Sequence, residues 1–218
     1  MSNLQHHKLK VSRTAQVFTY GNKESARLAV LVCHGYAHLA DTIIQKFDNI
    51  PEKDIYVVSP EGLSVFYWKG MNENPVASWM TSRNRLDEIE DFSDYLTQVY
   101  NTYLSDFSGR IVLMGFSQGC ATIWRWQHKA PVIYHSMINW AGWIPEDIDL
   151  KNTMSHLRDP VVYIAIGDQD QYLSDDRVAA MKEVVAKNNI PVIYYLFEGK
   201  HQIDRTLLES ILQSIIEK

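Results

Sequence analysis

The apolar positions of the chain fall into six short, nearly continuous runs, at residues 28–33, 55–58, 111–115, 137–141, 161–166 and 192–197. Apolar runs of this length, with little polar alternation, suit strands covered on both faces, so they predict a parallel sheet. Between the runs the period changes. Residues 84–104 place Leu86, Ile89, Phe92, Leu96, Val99 and Tyr103 three or four apart, with Asp87, Glu88, Glu90 and Asp91 toward the end where a helix dipole favours acidic groups. Ser174, followed by Asp175 and Asp176, reads as the cap and first turn of a second helix. Residues 204–217 carry Leu207, Leu208, Ile211, Leu212 and Ile215 on the buried face of a last one. Residues 9–20 alternate loosely up to Gly21-Asn22, as an antiparallel edge strand or hairpin does. The expected class is α/β: a mostly parallel twisted sheet with helices on both faces and an antiparallel N-terminal edge.

No repeat, low-complexity tract or Pro/Gly/Ser-rich linker divides the 218 residues, a length that one sheet-based core can absorb. A single domain over 1–218 is expected. At 46% hydrophobic and 22% charged the composition is that of a globular protein, which argues against disorder. No run approaches the roughly 18 apolar residues of a spanning helix, so no membrane span is expected. Residues 1–10 lack the apolar run of a signal peptide, and Cys33 and Cys120 could form at most one bridge. Both observations point to a reducing cytoplasm. A net charge of −5 without a basic stripe makes the chain a poor binder of phosphate backbones, and nucleic acid is not expected as a partner.

Ligands of parallel α/β sheets bind beyond the carboxyl ends of the strands, so chemistry is sought just after each apolar run. The third run ends in Gly115-Phe116-Ser117-Gln118-Gly119, with a helical pattern over 121–129 behind it. A serine on a sharp strand-to-helix turn needs small neighbours, because the tight backbone leaves no room for flanking Cβ atoms. Ser117 is therefore the candidate nucleophile. Its hydroxyl needs a base, and His201, just after the last run, is the best placed of eight histidines. His6, His7, His128 and His156 lie in polar surroundings and read as solvated, and His135 precedes a strand at the wrong end of the sheet. The imidazole in turn needs an acid, and the fifth run leads into Gly167-Asp168-Gln169-Asp170, where either aspartate could serve. With Asp170 the order is serine, acid, histidine, as in the α/β-hydrolase fold.

Acyl transfer also needs N–H donors aimed at the developing oxyanion. The backbone N–H of Gln118, just after the nucleophile, is one. The second is sought in the loop after the first run, Cys33-His34-Gly35-Tyr36-Ala37, with the backbone N–H of Tyr36 as candidate. His34 reads as a hydrogen-bonded residue steadying this loop rather than a catalytic one.

With these motifs in place the sequence resembles the phospholipase/carboxylesterase family of α/β-hydrolases, which includes acyl-protein thioesterases and small bacterial carboxylesterases. The likeness spans about residues 28–201 and is carried by His34-Gly35, Gly115-Phe116-Ser117-Gln118-Gly119, Ala141-Gly142-Trp143-Ile144-Pro145, Gly167-Asp168-Gln169-Asp170 and Gly199-Lys200-His201. It implies the α/β-hydrolase fold and takes the second aspartate of Gly-Asp-x-Asp, Asp170, as the triad acid, leaving Asp168 to structure its loop. The chain departs from the family pattern at Tyr36-Ala37-His38-Leu39-Ala40-Asp41, at Cys120 and at Tyr172-Leu173. Those positions bear on pocket shape rather than on the triad.

Only about 20 residues separate Trp140 from the next apolar run, which leaves no room for a large cap. Segment 61–78, with Phe66, Tyr67, Trp68 and Met71, is the expected other wall, and Trp68, Trp79, Trp143, Ile144 and Tyr172 are the candidate pocket residues. An apolar cleft of this kind favours an acyl or aryl ester. No metal-ligand spacing or phosphate-binding glycine loop competes, so neither metal nor cofactor is expected. The reading is a serine hydrolase cleaving small-molecule carboxylic esters of short to medium acyl chains through a Ser-His-Asp triad and a covalent acyl-enzyme. The alternatives are a lysophospholipase or acyl-protein thioesterase, and a catalytically silent α/β-hydrolase that only binds.

Overall fold

A computed structural model describes residues 4–155 and 157–217. In chain order its elements are β1 (Val17–Gly21), β2 (Leu28–Cys33), α1 (Ala40–Ile44), a 3-10 turn (Gln45–Phe47), β3 (Ile55–Pro60), β4 (Ser64–Tyr67), β5 (Pro75–Ser78) and α2 (Arg85–Tyr103). There follow β6 (Arg110–Phe116), α3 (Gln118–Lys129), β7 (Tyr134–Trp140), α4 (Leu150–Met154), β8 (Leu157–Gly167), α5 (Asp175–Lys187), β9 (Val192–Phe197) and α6 (Arg205–Ile216).

Seven strands form one sheet in the order β1-β3-β2-β6-β7-β8-β9, with every neighbouring pair parallel except β1 and β3. The chain steps outward from β2 to β3 and returns to β6 on the opposite side of β2. Strand order therefore reverses between β2 and β6, and the connections after Cys33 and Phe116 diverge there to leave a crevice. One face of the sheet is covered by α2, α3 and α5 through Phe92, Leu96, Trp124, Trp126, Met181 and Val185. The other is covered by α1 and α6 through Ile43, Leu208, Ile211, Leu212 and Ile215. Along α2 the expected apolar stripe is buried except at its ends, where Leu86 is exposed and Tyr103 half-buried. Ser174 does occupy the cap position of α5, but its side chain makes no capping bond. Asp204 caps α6 by accepting the Leu207 N–H at 2.7 Å.

β1 is the expected antiparallel edge strand, paired with β3 and not in a hairpin, and Gly21 (φ +87°) turns the chain away where a Cβ would stand 1.9 Å from the Ile55 carbonyl oxygen. Two features differ from expectation. The apolar run of β9 is not covered on both faces: at the outer edge of the sheet, Ile193, Tyr194 and Leu196 are exposed. Segment 61–78 contains the hairpin β4–β5, whose four-residue strands are too short to stand out in a sequence. The Ala37 N–H donates to the Ala77 carbonyl and the Ala77 N–H to that of His38, at 2.9 and 3.0 Å, which docks the hairpin on the loop after β2.

Between β7 and β8 the chain inserts only α4 and its flanking loops, and there is no large cap. Among the described residues no helix is long and apolar enough to cross a membrane.

Candidate active site

Ser117 leaves β6 with φ 54° and ψ −115°, a backbone conformation that L-residues adopt only under strain. Its surroundings hold it there. The Ser117 N–H donates to the Trp140 carbonyl at 2.9 Å, and its carbonyl accepts the Cys120 N–H at 3.0 Å. A Cβ on Gly115 would lie 2.4 Å from the Cys120 nitrogen, and one on Gly119 would lie 2.1 Å from the Cys33 oxygen. Both glycines are thus fixed by backbone contact rather than by flexibility. The helix α3 starts at Gln118, three residues before the sequence pattern suggested, so the turn and the first helical residue are contiguous.

Asp170 and His201 come from the loops after β8 and β9. The Asp170 side chain is fully buried; its Oδ2 lies 2.8 Å from His201 Nδ1, and its Oδ1 accepts the Tyr172 N–H at 2.8 Å. A carboxylate can only accept, so Nδ1 is the donor in this pair and Nε2 is the ring nitrogen left for other partners. Asp168 instead accepts the Gly199 N–H at 2.9 Å and ties the two loops together. Gly167 permits that contact, since a Cβ there would meet the Gly199 oxygen at 2.4 Å. The His201 ring rests against Phe116 (5.1 Å between centroids) and the edge of Tyr172 (4.7 Å). The Trp140 indole N–H fixes the same loop by donating to the Gln202 carbonyl at 2.8 Å.

His34 is buried and fully bonded: its Nε2 accepts the Gly62 N–H at 2.9 Å, and its Nδ1 donates to the Gly35 carbonyl at 2.7 Å. Burial lowers its pKa from 6.5 to about 4, so the ring is neutral and braces the loop. Gly35 brings that loop against the elbow, where a Cβ would stand 3.2 Å from that of Ser117. Among the described residues neither the Tyr36 nor the Gln118 N–H donates to a backbone carbonyl.

A cleft of about 1140 Å³ opens over these groups, lined by Ser117, Gln118, His201, Tyr36, Trp68, Trp143 and Tyr172. Two candidate wall residues are not on it. Trp79 is 2% exposed and packs on Phe92, because its indole N–H is committed to the His34 carbonyl at 2.9 Å. Ile144 is likewise 2% exposed and belongs to the core beneath α2 and α3. Phe66 supports the wall through Tyr36 and Trp68, whereas Tyr67 and Met71 face outward.

Several residues at the cleft had no role in the sequence reading. His38 stacks on Phe116 at 5.4 Å, its pKa lowered by burial and then by the nearby His201. The Gln118 side chain accepts from Trp79 N–H and Ser78 Oγ and donates to the Met80 carbonyl, clamping the end of β5. Lys69, Arg85, Arg125 and Arg177 also line the cleft, which is therefore not the purely apolar one expected. Arg125 was readable in principle: Ser117, Ala121 and Arg125 recur every four residues, the spacing of one helix face. The remaining histidines lie elsewhere. His135 accepts the Ile111 N–H at the amino end of the sheet, His6 and His7 are exposed, and His128 is half-buried beside Thr153 rather than solvated. His156 lies outside the described residues. Among the described residues no three His, Cys, Asp or Glu side chains are grouped to hold a metal ion.

The model of the family described as phospholipase/carboxylesterase matches residues 15–217. Solved structures with the same fold include acyl-protein thioesterase 2 of Zea mays, at 14% identity and TM-score 0.71 over 94% of this chain and 99% of that one. Esterase PE8 aligns at 18% identity and TM-score 0.66, over 95% and 99% of the two chains. A phospholipase/carboxylesterase of Dyadobacter fermentans aligns at 17% and 0.63, over 96% and 99%. Comparison with curated proteins gives no match.

Proposed function

Because the chain belongs to the phospholipase/carboxylesterase family of α/β-hydrolases, we propose that it is a one-domain serine hydrolase that cleaves carboxylic esters of short to medium acyl chains through an acyl-enzyme. The observation that carries this reading is the Asp170–His201 pair on the cleft that Ser117 lines. Ser117 Oγ attacks the ester carbonyl while His201 Nε2 takes its proton, and Asp170 holds the tautomer and stabilises the imidazolium. The N–H groups of Gln118 and Tyr36 receive the oxyanion. Collapse of the tetrahedral intermediate breaks the bond to the alcohol, which leaves with the proton from His201. Water then attacks the acyl-enzyme with His201 as base, the bond to Ser117 Oγ breaks as His201 returns the proton to it, and the carboxylic acid is released.

The size of the cleft supports a second reading, a lysophospholipase or acyl-protein thioesterase with a long acyl chain bound along the β4–β5 wall. Labelling with a fluorophosphonate tests the chemistry common to both. Stoichiometric modification at Ser117, lost in Ser117→Ala, is expected; a folded protein that stays unlabelled would leave only the reading of a silent binding scaffold.

A further inference from the structure

The charge of the cleft runs against that of the chain. The protein carries −5 overall, yet Lys69, Arg85, Arg125 and Arg177 line the cleft against, among the described residues, a single lining carboxylate, Glu73. Arg85 and Arg125 both bond Asp147, at 2.5 and 2.8 Å, so two guanidinium groups share one carboxylate. Burying a guanidinium is costly unless its N–H groups are satisfied, and that of Arg125 is not. Its side chain is only 8% exposed, and its Nη2 reaches Asp147 and its Nη1 the Met80 sulfur, but its Nε is buried without a hydrogen-bond partner. Gln127 Nε2, Tyr134 OH and Asn139 Nδ2 also lack partners, and none of those residues lines the cleft. Arg125 stands two helical turns from Ser117, about 12 Å along the axis of α3. Arg125, its contact Met80 and Ser117 all line the same cleft.

Building on the serine-hydrolase reading, we propose that Arg85 and Arg125 form an oxyanion subsite, so that the preferred ester carries an anionic group, a carboxylate or a phosphate, separated by a short spacer from the scissile carbonyl. Arg85, the more exposed of the two, offers an anionic oxygen the N–H groups that Asp147 does not take, and Arg125 behind it supplies the charge that one shared carboxylate does not cancel. The neutral wall at Trp68 and Tyr172 is left to cover the spacer.

The test compares p-nitrophenyl hydrogen adipate and its pimelate and suberate homologues with the same esters capped as methyl esters. The charged member of the best pair should show a kcat/KM at least about tenfold higher, the scale of one hydrogen bond to a charged group. Arg85→Gln, at a half-exposed residue, should bring the charged-to-neutral ratio close to one. Arg125→Lys keeps the charge but loses the fork, and should lower the ratio through KM rather than kcat. Binding of free adipate and of inorganic phosphate to Ser117→Ala, followed by calorimetry, separates the two sources of the anion and needs no turnover. Binding of either one that is weakened in the added Arg85→Gln background supports the subsite. Equal kcat/KM for charged and neutral esters together with no binding of either anion would overturn it, and would mark the Arg85–Asp147–Arg125 group as purely structural. Failure of the hydrolase reading has a different signature: no fluorophosphonate labelling and no hydrolysis of the neutral esters, whatever the calorimetry shows.

Discussion

Asp170 and His201 approach to 2.8 Å although 31 residues separate them, and the carboxylate that faces the imidazole has no contact with solvent. The neighbouring Asp168 points the other way, to the Gly199 amide. Two aspartates two residues apart thus do different work, one on a side chain and one on a backbone.

Asp170→Asn should therefore lower kcat by about 10³ to 10⁴ while the protein stays folded, because an amide can present its N–H to Nδ1 and favour the wrong tautomer. Asp168→Asn should change kcat much less, its cost being a weakened loop contact. Steady-state kinetics with circular dichroism on both variants checks this. A crippled Asp168→Asn beside a normal Asp170→Asn would reverse the assignment.

Strain at Ser117 makes a prediction about stability rather than rate. Its φ of 54° is easier for glycine than for any residue with a Cβ. Ser117→Gly should be more stable than Ser117→Ala by about 1 kcal/mol, with both inactive, as read from urea midpoints. Gly119→Ala should lose several kcal/mol or fail to fold, since its methyl would overlap the Cys33 oxygen.

His34 couples stability to pH. Its folded pKa is depressed to about 4, chiefly by burial, from an ordinary 6.5, so between those values the unfolded chain binds the extra proton. Stability contributed by neutral His34 is complete above pH 6.5 and is lost as pH falls toward 4, a change on the order of 3 kcal/mol. Urea midpoints from pH 7 to 4.5 should fall more steeply in the wild type than in His34→Gln. Parallel slopes would show that another group governs the acid limb.

Acyl preference follows from the missing cap. Each buried methylene adds about 0.8 kcal/mol only while wall remains to cover it, and no large cap is inserted after β7 to extend that wall. On neutral p-nitrophenyl esters kcat/KM should peak at short or medium chains and show no jump at a lipid interface. A maximum at palmitoyl would favour the lysophospholipase or thioesterase reading.

Much of this protein is written locally in its sequence. The strands β2 and β9 begin and end where their apolar runs do, the stripe of α2 marks the face it buries, and Gly115-Phe116-Ser117-Gln118-Gly119 describes a turn that only small residues permit. These features were legible because strand, helix and tight turn each impose a period or a steric rule on consecutive residues. Whether Trp79 or Trp68 faces the cleft is not such a rule. Trp79 turns inward because its N–H finds the His34 carbonyl 45 positions away, and Trp68 stays at the surface against Tyr36. His38 and Arg125 reach the cleft for the same kind of reason, the first by stacking on Phe116 and the second through Asp147. Neighbours along the chain set backbone conformation, but the partner that satisfies a buried polar group is chosen in three dimensions, and that choice separated wall from core and gave the cleft its charge.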